Sequence, residues 1–148
     1  MKDQSRYALA YFFFSYTEED KQNVYNMLSS IAGQLCRHAR TIPEKVITEL
    51  DRNMTRLPTS VLLELVSCLC QCFSQVYIVL DALDEVKLDE ISSLIDTLHK
   101  IIWLQSNVHL FITSRHENYL INGFKGLPIR DIPLTSAIVD NDIKLYVT

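Results

Sequence analysis

The chain has 148 residues, 48% hydrophobic and 22% charged, which is one domain of ordinary globular composition with enough apolar side chains for a core. Fourteen basic against eighteen acidic residues leave a net charge of −4 with no basic stripe, which argues against a nucleic-acid surface. No apolar run reaches the ~18 residues of a membrane span, and the polar start before the short apolar stretch Ala8 to Phe14 is not a signal peptide, so a cytoplasmic protein without membrane contact is expected.

Ala8 to Tyr16, ALAYFFFSY, is aromatic and apolar with a polar exit and reads as a strand. Thr17 with Glu18, Glu19 and Asp20 has the signature of a helix start, a hydroxyl cap followed by acids in the first turn. Val24, Met27, Leu28, Ile31 and Leu35 fall at helical spacing as its buried face, and Arg37, His38 and Arg40 suit its C-terminal end. Ile42-Pro43 begins a second helix with the stripe Val46, Ile47, Leu50 and Met54. After a polar connection to Pro58, Thr59-Ser60 opens a third, VLLELVSCLCQCF, apolar on most of its surface and so expected to be deeply packed. Cys68, Cys70 and Cys72 alternate, so on a helix they diverge. With Cys36 they read as small hydrophobes in a reducing compartment rather than as zinc ligands.

Gln75 separates that helix from Val76 to Glu85, VYIVLDALDE, around which the chain is organised. Five uninterrupted apolar residues predict a strand covered on both faces, as in a parallel α/β sheet. Asp81 stands at its carboxyl end, where open α/β sheets keep their ligand crevices, and Asp84 and Glu85 follow. In nucleotide hydrolases such a carboxylate lies near magnesium, and a neighbouring acid polarises the attacking water. The plainer alternative is a buried strand ending in a polar turn that Asp81 caps.

Leu88 to Leu104 carries Ile91, Leu94, Ile95, Leu98, Ile101 and Ile102 in helical register, a crossover helix with Trp103 at its end in core or interface. Val108 to Thr113 is the next strand, followed by Ser114, Arg115, His116 and Glu117. Arg115, just past a strand end, can reach a γ-phosphate or can pair with Asp84 or Glu85; His109 and His116 have no partner at a chemically useful spacing. A short amphipathic piece spans Asn118 to Phe124. Leu127 to Leu134, with Pro128 and Pro133, suggests an edge or terminal strand, and Asp140 to Val147 a final helix capped by Asp140 or Asn141. Strands near Ala8, Val76, Val108 and Ile129 alternating with helices make an α/β domain with a mainly parallel sheet. The three glycines, Gly33, Gly123 and Gly126, form no G-x-x-x-x-G-K-[ST] loop.

VYIVLDALDE resembles the Walker B strand of NACHT domains in the STAND class of P-loop NTPases. VHLFITSRHE resembles their sensor 1 strand, and LAYFFFSYTEED the strand and helix start between Walker A and Walker B in the NOD-like receptors of filamentous fungi. The resemblance covers roughly Ala8 to Val147 and implies that residues 1–148 are a partial NACHT domain beginning after the Walker A strand and loop. It further implies that Asp81 holds Mg2+ through water, that Asp84 and Glu85 position or activate water, and that Arg115 senses the γ-phosphate of ATP. Partners would be other NTPase domains, through oligomerisation, and the rest of a multidomain receptor serving signal transduction in innate immunity or heterokaryon incompatibility. Without a P-loop, hydrolysis by this chain alone is not expected. Two alternatives stand beside this: a non-catalytic interaction module or remnant of such an NTPase, and an unrelated α/β enzyme using Asp81 and Asp84 as a metal pair. A missing Walker A strand would leave a gap that the last strand fills by sliding to Val108–Thr113, or else a marginal fold.

Overall fold

Every second residue along residues 8–12 and 76–80 is buried, and this parity builds the packed face of the sheet. In the computed structural model, which describes residues 5–52 and 55–147, β1 (Ser5–Phe13), β2 (Phe73–Asp81) and β3 (Val108–Ile112) lie in the order β1-β2-β3, all parallel. Between β1 and β2 come α1 (Val24–His38), α2 (Glu44–Arg52) and α3 (Thr59–Cys70), and between β2 and β3 comes α4 (Ile91–Leu104). After β3 follow α5 (Asn118–Gly123) and α6 (Ser136–Val147). The expected α/β architecture with a parallel sheet and flanking helices is therefore present, consistent with part of a P-loop-like core.

Helix α1 packs on β1, α3 on α1 and β2, and α4 on β3. Their apolar stripes meet Ala8, Ala10 and Phe12 of β1 and Val76, Ile78 and Leu80 of β2, which are all buried. The stripe expected of α1 (Val24, Met27, Leu28, Ile31 and Leu35) is buried throughout, and Gln34 joins it. That glutamine pairs with the edge of β1: its Nε2 donates to the Tyr11 carbonyl at 2.7 Å, and the Tyr11 N–H donates to its Oε1 at 3.0 Å. A buried amide and a strand edge thus satisfy each other. The deep packing expected of α3 is also found, with Leu62, Leu65, Val66, Leu69 and Cys70 buried. Burial first, and then the neighbouring Cys72, push the Cys70 thiol up to about 12, so it stays protonated as a small hydrophobe.

Several expectations are corrected. Helix α1 starts at Asn23, whose side chain accepts from the Asn26 N–H at 2.9 Å, and not at Thr17; residues 19–21 form only a 3-10 turn. Glu90 supplies the second cap across the fold, accepting the Val24 N–H at 3.1 Å. Of the α2 stripe only Val46 is buried, while Ile47 and Leu50 are exposed and Met54 lies outside the described residues. Helix α3 ends at Cys70 and β2 begins at Phe73, so Gln75 sits inside the strand rather than before it. A 3-10 turn over Leu88–Glu90 precedes α4, and of the two places expected for Trp103, core or interface, its exposure excludes the core. Residues 127–134 form no strand, leaving the outer edge of β3 without a described neighbour, and α6 begins at Ser136 rather than at Asp140. The largest correction concerns β2: one face is buried, but Tyr77 and Val79 on the other are only partly covered, because the three packing helices lie on a single side of the sheet.

Candidate functional site

The parallel register of β2 and β3 sets Leu80 against Ile112, so Asp81 and Thr113 leave the sheet side by side at its carboxyl end. Thr113 then clamps the turn that follows Asp81. Its backbone N–H donates to the Leu80 carbonyl and its carbonyl accepts the Leu83 N–H, both at 3.0 Å. Its hydroxyl accepts the Ala82 N–H at 3.0 Å and donates to the Asp81 carboxylate. Held this way, Ala82 adopts the left-handed conformation (φ 54°, ψ 50°), which costs a residue with a β-carbon about 1–2 kcal/mol. Such a conformation persists only where its surroundings over-determine it. The reversal buries Leu83 completely and, through the 3-10 turn Leu83–Glu85, brings Asp84 and Glu85 back to the strand ends.

Asp84 is committed to Arg115. Its Oδ1 accepts the Arg115 backbone N–H at 3.0 Å and its Oδ2 the guanidinium Nε at 2.5 Å. The Asp84 side chain is 4% exposed and that of Arg115 is 74% exposed, so the pair is anchored at one end and open at the other. Burial works to raise the Asp84 carboxyl, but the hydrogen bonds from Arg115 outweigh it and hold the group below its ordinary range. The same pairing raises Arg115, which stays cationic. Glu85 ties down the other neighbour: its Oε2 accepts the Tyr16 N–H at 3.0 Å, and the Phe14 N–H donates to the Asp81 carbonyl at 3.0 Å. The carboxyl ends of all three strands therefore converge on Asp81, Asp84, Glu85 and Arg115.

All four residues singled out from the sequence lie at this edge. His109 does not: it stands mid-strand, stacked on Tyr77 with ring centroids 5.0 Å apart and hydrogen-bonded to Gln75. Thr113 was missed. Its signal was available, a hydroxyl ending the β3 run two residues before Arg115, but its partner could be named only once the register was known. Among the described residues no group of three or more His, Cys, Asp or Glu is placed to hold a metal by itself. One carboxylate beside a hydroxyl does fit magnesium, which keeps most of its waters and relies on substrate phosphates for further ligands. A separate, apolar cavity of about 300 Å3 lies between α1, α2 and α3, lined by residues such as Tyr25, Val46 and Leu65, and contains no member of the acidic edge.

A family model described as the N-terminal region of nephrocystin 3 matches residues 1–115. The chain belongs to the nephrocystin 3 N-terminal family. Neither a curated protein nor a solved structure matches it. The nephrocystin 3 N-terminal match runs from the residues before β1 to Arg115, so the acidic edge lies wholly inside it, whereas α5, the following connection and α6 lie outside. Among the described residues no helix is long and apolar enough to cross a membrane.

Proposed function

We propose that the chain is the Walker B and sensor 1 portion of a NACHT-type, ATP-dependent signalling switch. The observation that carries this reading is the convergence of Asp81, Asp84 and Arg115 at the carboxyl ends of two adjacent parallel strands. Asp81 would hold Mg2+ through its water, and the ion would supply charge neutralisation on the β- and γ-phosphates. Thr113 keeps the Asp81 carboxylate turned to the edge. Arg115, fixed through Nε and its backbone by Asp84, has Nη groups left for a γ-phosphate. Glu85 uses one oxygen on Tyr16 and has the other for orienting water, with the charge of Asp84 beside it.

The 148 residues contain no P-loop, so turnover by this chain alone is not part of the proposal. Its partners would be other NTPase domains, in oligomerisation, and the remainder of a multidomain receptor in the cytoplasm. One observation favours the second reading, a non-catalytic interaction module: both acids of the Asp84–Glu85 pair already serve bonds that hold loops. The experiment that separates the two joins this chain to the strand and P-loop of a NACHT ATPase and compares it with Asp84→Asn plus Glu85→Gln. The switch reading expects ATP binding in both and a turnover lower by about a hundredfold in the double variant. The module reading expects neither binding nor turnover in either.

A further inference from the structure

The helical layer is not closed everywhere. The cavity of about 300 Å3 between α1, α2 and α3 has a floor of Val46, Leu65 and Leu69, all sealed from solvent. Its rim is open: Leu50 is 49% exposed, and Thr55 is exposed as well. At Gly33, on the α1 wall, an added β-carbon would come no nearer than 3.9 Å to another side chain, Arg37 at Nη1. Well-packed interiors hold few voids larger than a water molecule. An apolar void of about 150 Å3 takes up benzene, so twice that volume admits a body of about twelve non-hydrogen atoms.

Among the described residues no charged side chain lines the cavity, but two guanidinium groups stand at its edges. Arg56 lies between Thr55 and Leu57, which both line it, and its Cζ sits 3.8 Å from the ring centroid of Tyr25, a third lining residue. Held on that ring, Arg56 has no hydrogen bond or ion pair among the described residues, so its N–H donors are free. Arg37 follows Cys36, whose partly buried thiol belongs to the wall. Burial raises that thiol, and the Arg37 charge works against the rise, so positive potential reaches into the cavity. An uncharged chamber with cations at its mouth suits an anion whose body is apolar.

We propose that this cavity binds a small carboxylic acid in its ionised form, with the apolar body between α1, α2 and α3 and the carboxylate on the Arg56 guanidinium. The planar fork of an arginine matches the two oxygens of a carboxylate. The occupant is a free small molecule rather than a segment of another chain. Backbone N–H and C=O groups brought against Leu65 and Leu69 would find no partner there.

The test titrates two acids into the full 148-residue chain by calorimetry, each beside its uncharged counterpart. The rigid pair is 2-naphthoate and 2-naphthol, and the flexible pair is octanoate and octanol. At least one acid should bind with a dissociation constant below about 1 mM, and at least about fivefold more tightly than its alcohol. Arg56→Gln should bring that acid to parity with its alcohol while leaving the alcohol within about threefold of its original affinity. Cys36→Phe, which places a ring in the cavity, should weaken the acid by at least about tenfold. Should Cys36→Phe fail to fold by circular dichroism, alkylation of Cys36 in the unaltered chain is followed by peptide mass instead. A saturating acid should slow it by at least about fivefold. The proposal is overturned if neither acid binds below about 1 mM, if the alcohols bind as tightly as the acids, or if Arg56→Gln keeps the preference. Binding that neither Cys36→Phe nor Cys36 alkylation registers overturns it too.

Discussion

The two faces of one sheet behave as two different proteins. Along β2, Val76, Ile78 and Leu80 are sealed against α1, α3 and α4, while Tyr77 and Val79, one residue away in each case, are only partly covered. Along β1 the sealed side carries Ala8 and Ala10, small enough for α1 to approach closely, whereas the open side carries Leu9, Tyr11 and Phe13. The lesson is that stability is divided by residue parity: the covered face holds the fold, and the open face is spare apolar surface.

Substitutions can sharpen that division, and the largest effect is expected inside it. Leu80→Ala, on the covered face, should cost about 2–5 kcal/mol in urea unfolding, whereas Val79→Ala, on the open face, should cost under about 1 kcal/mol. Equal losses would mean that both faces are packed. Gly123→Ala tests the helical side from outside the sheet, since a β-carbon there would meet Ile95 Cδ1 at 2.2 Å and Cγ1 at 3.0 Å. It should destabilise by about 1–3 kcal/mol, the scale of overpacking, and Ile95→Ala in the same chain should relieve the clash.

The acidic edge, where the two faces meet, should respond more weakly and with a pH signature. Asp84 has an ordinary value of 3.8 and is held lower in the folded chain, so its ionised form stabilises above about pH 4. That contribution is lost as pH falls through the depressed folded value, and Asp84→Asn should remove this part of the acid dependence while leaving stability near pH 7 slightly reduced. Melting curves from pH 2 to 7 for both chains measure it. The smallest effect is expected from Thr113→Val against Thr113→Ser: valine frees the Ala82 N–H and the Asp81 carboxylate, serine keeps both bonds, and exchange of the Ala82 amide should quicken only in the valine variant.

How much of this was legible in the sequence follows from the range of the forces involved. The strand cores, the α1 stripe and the acidic strand end depend on neighbours within a few residues, and all could be read. The open face could not: VYIVL is as apolar as a strand buried on both sides, and only the arrangement of helices decides which face is covered. The α1 start was misplaced because Thr17-Glu18-Glu19 imitates a cap, while the actual cap uses Asn23 locally and Glu90 from 66 residues away. Residues 127–134 mix aliphatic residues with two prolines, which suggested an edge strand, but found no pairing partner among the described strands. Asp81, Asp84, Glu85 and Arg115 were each visible as types at strand ends; the Thr113 clamp and the left-handed Ala82 needed the β2–β3 register.

The central claim, that the carboxyl edge of β2 and β3 is a nucleotide-phosphate surface lacking its cradle, is tested most directly by titrating Mg·ATP into the isotope-labelled chain and following its amide resonances. The account predicts a dissociation constant weaker than about 1 mM, with the shifts confined to Ala82–Glu85 and Thr113–Arg115. Micromolar binding, or shifts centred on the apolar cavity between α1, α2 and α3, would contradict it.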